Sequence, residues 1–279
     1  MRLRGVRGSR NIEDRRKRGG RAGAGIGGVG LLVVLAVGYF AGVDVTPFLQ
    51  GQGGLSQPGE TRELTAEEKQ AGEFSSRVLA TTEDVWGRIF PQQIGKEYRP
   101  PVMVLYAGVT SSPCGNASGA TGPFYCPADR KAYLDTEFFA TLAREMGAKG
   151  DFAAAYVIAH EVAHHVQNEL GILPEVNKRR QAVGRAEANA LTVRLELQAD
   201  CLSGVWARSV EGMLEPGDLE EALNAARKIG DDYLQKRAGR VPQPHTFTHG
   251  TSEQRSRWFA TGYQSGDPGQ CDTFGTDRL

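Results

Sequence analysis

The sequence predicts an α+β fold, a mainly helical domain with a small antiparallel sheet, preceded by one N-terminal transmembrane helix. Three observations lead there. Ala22 to Val43 is a 22-residue run without a charge. Two short segments, Val102–Tyr106 and Lys131–Phe138, have the length and patterning of strands. Helical patterns then dominate, over about 137–147, 152–170, 185–210 and 217–229, and short strands leading into several helices describe an α+β domain.

The first 22 residues carry nine basic side chains against Glu13 and Asp14. The uncharged run behind them reaches roughly 33 Å as a helix, enough to cross a hydrocarbon core of about 30 Å. Its seven glycines dilute it, so the case rests on Val29 to Phe40, with Gly38-x-x-x-Gly42 as a weak helix-pairing signal. Basic residues before it and Asp44 behind it place the N-terminus in the cytoplasm. The other reading is a cleaved signal peptide, but its n-region would be unusually long and no convincing small-x-small cleavage site precedes Asp44. The expected partition is a basic cytoplasmic tail (1–22), a transmembrane anchor (23–43), a flexible linker (44–62) containing Gly51 to Glu60, and a folded domain (63–279). That describes a single-pass membrane protein, held in the membrane by residues 23–43, with its domain periplasmic or extracellular.

Of 33 basic and 33 acidic residues, removing those before position 23 leaves the remainder at net −7, which excludes nucleic acid as a partner of the main domain. The domain opens on a helix from about Thr65 to Ile89, with Val78, Val85, Trp86 and Ile89 toward the core. Val102–Tyr106 reads as a buried strand. Lys131 to Phe138 alternates like a half-exposed one, an edge on which an extended peptide could add a strand. Pro216 and Gly230 punctuate the helix over 217–229, and Gly262 to Leu279 reads as mostly irregular.

Four cysteines in an exported domain fit two disulfides. Cys114 and Cys126 flank a loop rich in Gly, Ser and Ala, and by elimination Cys201 pairs with Cys271. None has the C-x-x-C spacing of a zinc–thiolate site.

The chemistry gathers in Tyr156-Val-Ile-Ala-His160-Glu161-Val-Ala-His164-His165. Residues four apart share a helix face, so His160 and His164 can direct imidazole nitrogens at one ion, with Glu161 beside them to take a proton from water. The plain alternative is a solvated His/Glu face. The apolar stretch Phe152 to Ala159 argues against it, because it puts the motif in a core, where unpartnered histidines cost several kcal/mol and a metal removes that cost. Catalytic zinc needs a third protein ligand and an open position. Glu196, in Arg194-Leu-Glu196-Leu-Gln-Ala-Asp200-Cys201, is the best candidate, and Asp200 four residues on can orient a ligand histidine. Glu169, Glu175 and Glu187 lie in polar surroundings and fit less well.

An H-E-x-x-H helix followed by E-x-x-x-D on a second helix resembles the gluzincin peptidases. More closely, the chain resembles the bacterial neutral zinc metallopeptidases, a family of membrane-anchored proteins. The resemblance is carried by Ser9-Arg-Asn-Ile-Glu-Asp-Arg-Arg16, Gly122-Pro-Phe-Tyr-Cys-Pro-Ala-Asp129, Ala155 to Gln167, Arg194 to Cys201 and Phe247 to Arg255. It implies a zincin-like peptidase fold, one zinc per chain held by His160, His164 and Glu196, Glu161 as catalytic base, and Asp200 in support. It leaves the substrate open, beyond a peptide or protein, and says nothing of oligomeric state.

Thr248-His-Gly-Thr-Ser-Glu-Gln-Arg255 resembles the S/T-H-P-x-x-x-x-R segment of CAAX-type membrane zinc peptidases, with Gly250 in place of proline. The resemblance implies that His249 or Arg255 stabilises an oxyanion; the alternative is a structural salt bridge from Arg255. His165 points about 100° away from the second ligand and reads as a packing residue, and His245, between prolines, has no assigned role. Two functions follow as expectations: a zinc peptidase with a glutamate general base, or a catalytically silent zinc-containing module that binds peptides or scaffolds an envelope complex. The complete set of reactive residues favours the enzyme.

Overall fold

A computed structural model describes residues 1–17, 63–118, 121–139 and 150–279. Two apolar runs make the centre of the sheet. Strands β2 (Val102–Tyr106) and β6 (Lys131–Asp135) are buried on both faces beyond their first residues, and pair in parallel from Val102 opposite Lys131 to Tyr106 opposite Asp135. β5 (Phe124–Cys126) pairs antiparallel with β6, and β1 (Ile12–Asp14) pairs parallel with β2. The order is β1-β2-β6-β5. β3 (Val109–Ser112) and β4 (Gly115–Ser118) form a separate antiparallel hairpin, and Cys114 in its turn is bonded to Cys126.

The sheet is therefore mixed, not the expected antiparallel one. A period-2 pattern tells which face a residue takes, not which way its neighbour strand runs. β6 is also not the expected half-exposed edge: it lies between β2 and β5, and it stops at Asp135, whose Oδ1 accepts the Glu137 N–H at 2.9 Å. Its alternating polar residues are covered from both sides.

A second correction concerns the amino terminus. Residues 1–17, expected as a separate basic tail, pack on the domain. Met1 and Leu3 enter the main core, β1 extends the sheet, and the α-ammonium of Met1 lies against Asp151 (2.8 Å), Glu215 (3.0 Å) and Asp218 (3.2 Å). Charge alone suggested a separate tail; instead Arg7 pairs with Glu83 and Asp84 of the domain, while Arg15 and Arg16 pair with Glu13 and Asp14 inside the segment itself. Among the described residues no helix is long and apolar enough to cross a membrane. The expected anchor (23–43), the linker (44–62) and most of the expected helix over 137–147 lie outside the described residues.

Seven α-helices occur among the described residues. α1 (Ala66–Ile89) starts at a capping box: the Thr65 side chain accepts the Glu68 N–H and the Glu68 side chain accepts the Thr65 N–H. α2 (Asp151–Glu169) is apolar nearly all round and correspondingly buried. α3 (Ile172–Ala182), α4 (Arg185–Ser209), α5 (Asp218–Lys228), α6 (Asp231–Arg237) and α7 (Ser252–Ser265) follow. α3 and α6 escape a periodicity reading because they are short and polar. α7 carries a second capping box, Thr251 with Gln254, and ends at Gly266 in the left-handed region with φ 63°.

α4 and α7 approach backbone to backbone. A Cβ at Gly204 would overlap the Phe259 carbonyl, and one at Gly262 would overlap the Cys201 carbonyl. The Cys201–Cys271 disulfide, Cα atoms 5.5 Å apart, ties the chain end to the same place on α4. This close crossing brings residue 255 to residue 200.

Candidate metal centre

α2 and α4 pack against each other at the middle of the domain, each presenting one turn of polar side chains inside an apolar surround. His160, His164 and Glu196 converge there, with one donor atom from each within 4.8 Å of the other two. His160 Nε2 lies 3.1 Å from one Glu196 oxygen, and His164 Nε2 3.4 Å from the other. Donors about 2.0–2.1 Å from a tetrahedral zinc ion stand roughly 3.3 Å apart, so the spacing fits one zinc. Two neutral imidazoles and a carboxylate are also the donor chemistry of three-ligand catalytic zinc sites.

The proton positions agree with ligation. The Gln167 amide is oriented by donating from Nε2 to the Leu195 carbonyl (2.7 Å) and to Gln198 Oε1 (3.1 Å). Its Oε1 therefore faces His164 Nδ1 at 2.9 Å and accepts that N–H, leaving the lone pair on Nε2. On His160, Nδ1 lies 2.9 Å from Asp200 Oδ1. That contact is short but poorly aligned as a hydrogen bond, and Nδ1 has no other partner among the described residues. Carboxylates thus face both ring nitrogens, and with a cation among the donors Asp200 would favour the remaining proton on Nδ1, leaving Nε2, toward Glu196, as the ligand atom.

Asp200 is held from the far side. It is fully buried and takes Arg255 Nε on Oδ2 (2.8 Å), Arg255 Nη2 on Oδ1 (2.9 Å) and the Tyr156 hydroxyl on Oδ1. Burial would raise the Asp200 carboxyl, but Arg255 and His160 outweigh it and keep it ionised. Burial would likewise depress the His160 imidazolium; Asp200, then Glu196, hold it up at about 10. The carboxylates that retain protons on these histidines are the groups that would retain a divalent cation in their place.

Glu161 is 9% exposed, its charge coupled to His160, His164 and Glu196. Burial pushes its carboxyl upward, against the lowering effect of the two histidines. A raised carboxyl next to the donor cluster suits proton transfer better than ligation.

The remaining expected residues divide. Arg255, 1% exposed, makes a buried ion pair with Asp200, the kind of contact its expected structural role requires. His165 uses both nitrogens away from the cluster: Nε2 donates to the Arg99 carbonyl (2.6 Å), and Nδ1 accepts from the Tyr125 hydroxyl (3.0 Å). Burial lowers its pKa. His245 is exposed, and its carbonyl accepts from Asn189 Nδ2 at 3.1 Å. Glu175 and Glu187 are exposed, and Glu169 pairs with Arg130.

His249 is half-exposed, with Nδ1 3.2 Å from Asp231 Oδ1. Asp231 Oδ2 accepts the backbone N–H groups of Thr248, His249 and Gly250 at 2.7, 2.6 and 3.0 Å, clamping the loop. Gly250, with φ +88°, rests against Val193 and Leu197 on either side of Glu196. The loop carrying His249 is thus seated on the α4 turn that supplies the third donor. Residues that sequence reading missed here are Tyr156, Gln167, Gln198 and Asp231. Only Tyr156 had a usable signal, a phenol one turn before His160 on the same face.

A second group, Asp151, Asp218 and Glu221, also has metal-like spacing, but the Met1 α-ammonium already bonds to two of its three members.

Comparison with known proteins agrees with this geometry. Residues 1–274 match the family described as "Putative neutral zinc metallopeptidase". The chain is 50% identical over 287 aligned positions to the uncharacterized protein YpfJ of Escherichia coli, covering 99% of each chain. It is 42% identical over 219 positions to an uncharacterized protein of Mycobacterium tuberculosis, covering 73% of this chain and 71% of that one. No solved structure matches the chain.

Proposed function

This chain belongs to the neutral zinc metallopeptidase family, and from that premise we propose that it is a working peptidase using one zinc ion per chain and Glu161 as general base. The observation that carries the reading is the spacing of the His160, His164 and Glu196 donors, 3.1 and 3.4 Å, with an ionisable Glu161 beside them.

Zinc held by those three residues supplies Lewis-acid chemistry, acidifying a water molecule and polarising a carbonyl. The protein's own groups do the rest. Glu161 takes the proton from the attacking water and passes it to the leaving amine. Asp200 and Gln167 keep each imidazole proton on Nδ1, so that Nε2 of His160 and of His164 stays a donor. Asp231 orients the His249 ring at Nδ1, and His249 stabilises the oxyanion as charge develops on the carbonyl oxygen.

The substrate is a peptide or protein. β6 is paired on both sides, and of the two edge strands, β1 and β5, the one joined to the metal helix is β5, whose Tyr125 bonds to the residue after His164, so β5 is the strand offered to an extended peptide. Two disulfides support an oxidising compartment for the domain, periplasmic or extracellular. Membrane attachment through residues 23–43 is part of the same proposal, with no side assigned to the amino terminus, and rests on their hydropathy alone. The alternative, a silent zinc-containing binding module, has no specific observation in its favour, whereas a buried Glu161 under the charge of His160 and His164 supports the enzyme.

The test is Glu161→Gln in the full chain, assayed on a peptide library. The variant should keep its zinc and its melting temperature and lose cleavage by about 10²-fold or more. A Glu161→Gln protein as active as wild type would refute the mechanism, and a zinc-loaded wild type that cleaves no library peptide would favour the binding module.

A further inference from the structure

The Ser9–Arg16 segment is a sequence motif that the proposed chemistry does not use, yet it makes a dense set of specific contacts. Ser9 Oγ (2.5 Å) and Asn11 Nδ2 (2.8 Å) donate to Glu83 Oε1 on α1, and Arg7 pairs with Glu83 Oε2 at 2.9 Å. Ser9 N donates to the Ser76 carbonyl at 3.0 Å. Ile12 to Asp14 then run alongside Met103 to Leu105, bracketed by Met103 N donating to the Asn11 carbonyl (2.8 Å) and Arg15 N donating to the Leu105 carbonyl (2.7 Å). Glu13 takes Arg15 at 2.8 Å and Lys131 at 2.6 Å.

Arg16 closes the set. Its guanidinium is 5% exposed, bonded to Asp14 Oδ1 and Oδ2 and to the Glu68 carbonyl, and it lies flat over Gly72. A Cβ at Gly72 would overlap it. Groove and segment are thus matched by side chain, at Glu83 and Gly72, as well as by the backbone ladder.

We propose that residues 7–16 are a docking peptide, captured as an added strand in a groove built from the β2 edge, Gly72 and Glu83, and that they share a compartment with the metal centre. Strand addition gives affinity through main-chain bonds, and the Glu83 and Gly72 contacts give sequence selectivity. Hydrogen-bonded strands cannot stand on opposite faces of a bilayer, because the hydrocarbon leaves no room for a ladder between them. The expected topology, amino terminus inside and domain outside, is replaced by one in which both flanks of residues 18–62 lie on the same side. This inference does not depend on zinc or on catalysis.

The experiment uses the full chain in its membrane. Arg10 and Glu253 are both exposed, one on the docking peptide and one on α7. Arg10→Cys and Glu253→Cys, introduced separately, are probed in intact spheroplasts with a membrane-impermeant maleimide. Both should label, or both should be protected until the membrane is opened. Labelling of one and not the other would overturn the shared compartment. Hydrogen exchange on the purified full chain tests the docking itself. Peptides covering 11–16 should be protected in the wild type and lose that protection in Arg16→Ala and Glu83→Gln, while peptides of β2, still paired with β6, and of α4 keep theirs. Exchange of 11–16 at the free-peptide rate in the wild type would overturn the docking.

Discussion

Arg255 reaches both oxygens of Asp200, Nε to Oδ2 at 2.8 Å and Nη2 to Oδ1 at 2.9 Å, and that second oxygen is also 2.9 Å from His160 Nδ1. A guanidinium on α7 therefore holds a carboxylate on α4 against an imidazole on α2. Because Asp200 and Arg255 are both buried, removing either leaves an uncompensated charge.

Arg255→Ala should lower stability by about 3–5 kcal/mol in denaturant unfolding. Arg255→Lys supplies charge but not the two-pronged geometry, and should weaken zinc binding by about 10–100-fold in chelator competition, as should Asp200→Asn. Wild-type zinc affinity in Arg255→Lys would disconnect this pair from the metal centre.

His160→Ala, His164→Ala and Glu196→Ala should each strip the full chain of its zinc, measured by metal analysis after gel filtration. His165→Ala should retain it, because both its nitrogens point to Arg99 and Tyr125. Its cost should appear as about 1–3 kcal/mol of stability, from the loss of a buried ring and its two hydrogen bonds. Full zinc in Glu196→Ala would mean that the third donor lies elsewhere.

His249→Ala should keep zinc and lower kcat by about 10²–10³-fold, with KM little changed, if the ring meets the oxyanion. Asp231→Asn keeps an acceptor for the backbone N–H groups but weakens the hold on Nδ1, and should fall between wild type and His249→Ala. Equal kcat in all three would remove His249 from the reaction.

Asp135, fully buried at the end of β6, provides a pH signature. Desolvation pushes its carboxyl up to about 6, against the lowering hydrogen bonds from the Glu137 and Gly108 N–H groups. The unfolded chain ionises near pH 3.8, so between about pH 4 and 6 the folded state holds more protons than the unfolded one. This group's contribution to stability therefore falls as pH rises through that window and stays unfavourable above it. Asp135→Asn should melt higher than wild type at pH 7–8, with the difference shrinking below pH 6 and vanishing near pH 4. A constant difference across that range would assign the effect to packing.

The H-E-x-x-H helix was legible because its two donors and its base lie within five residues, where helical geometry alone puts them on one side. Glu196 and Asp200 were legible for the same reason on a second helix, and the two disulfides from the count and spacing of four cysteines. Strand direction was not. Val102–Tyr106 and Lys131–Asp135 carry no information on whether they run parallel, and their pairing depends on where the β3–β4 hairpin sends the chain.

What the sequence by itself determined is the local chemistry: which side chains can share an ion, which helix is buried, which carboxylates can assist. What only the tertiary structure decided is every relationship between distant segments. Arg255 meets Asp200 because Gly204 and Gly262 let two helix backbones touch. Asp231 meets His249 because three loop amides need an acceptor. The first 17 residues pack on the domain, with Ile12–Asp14 as a strand, because carboxylates far along the chain lie where Arg7 and the α-ammonium of Met1 arrive, Glu83 for one and Asp151 for the other. Periodicity describes one element at a time; long-range contacts depend on the close-packing of all of them together, and no window of sequence contains that.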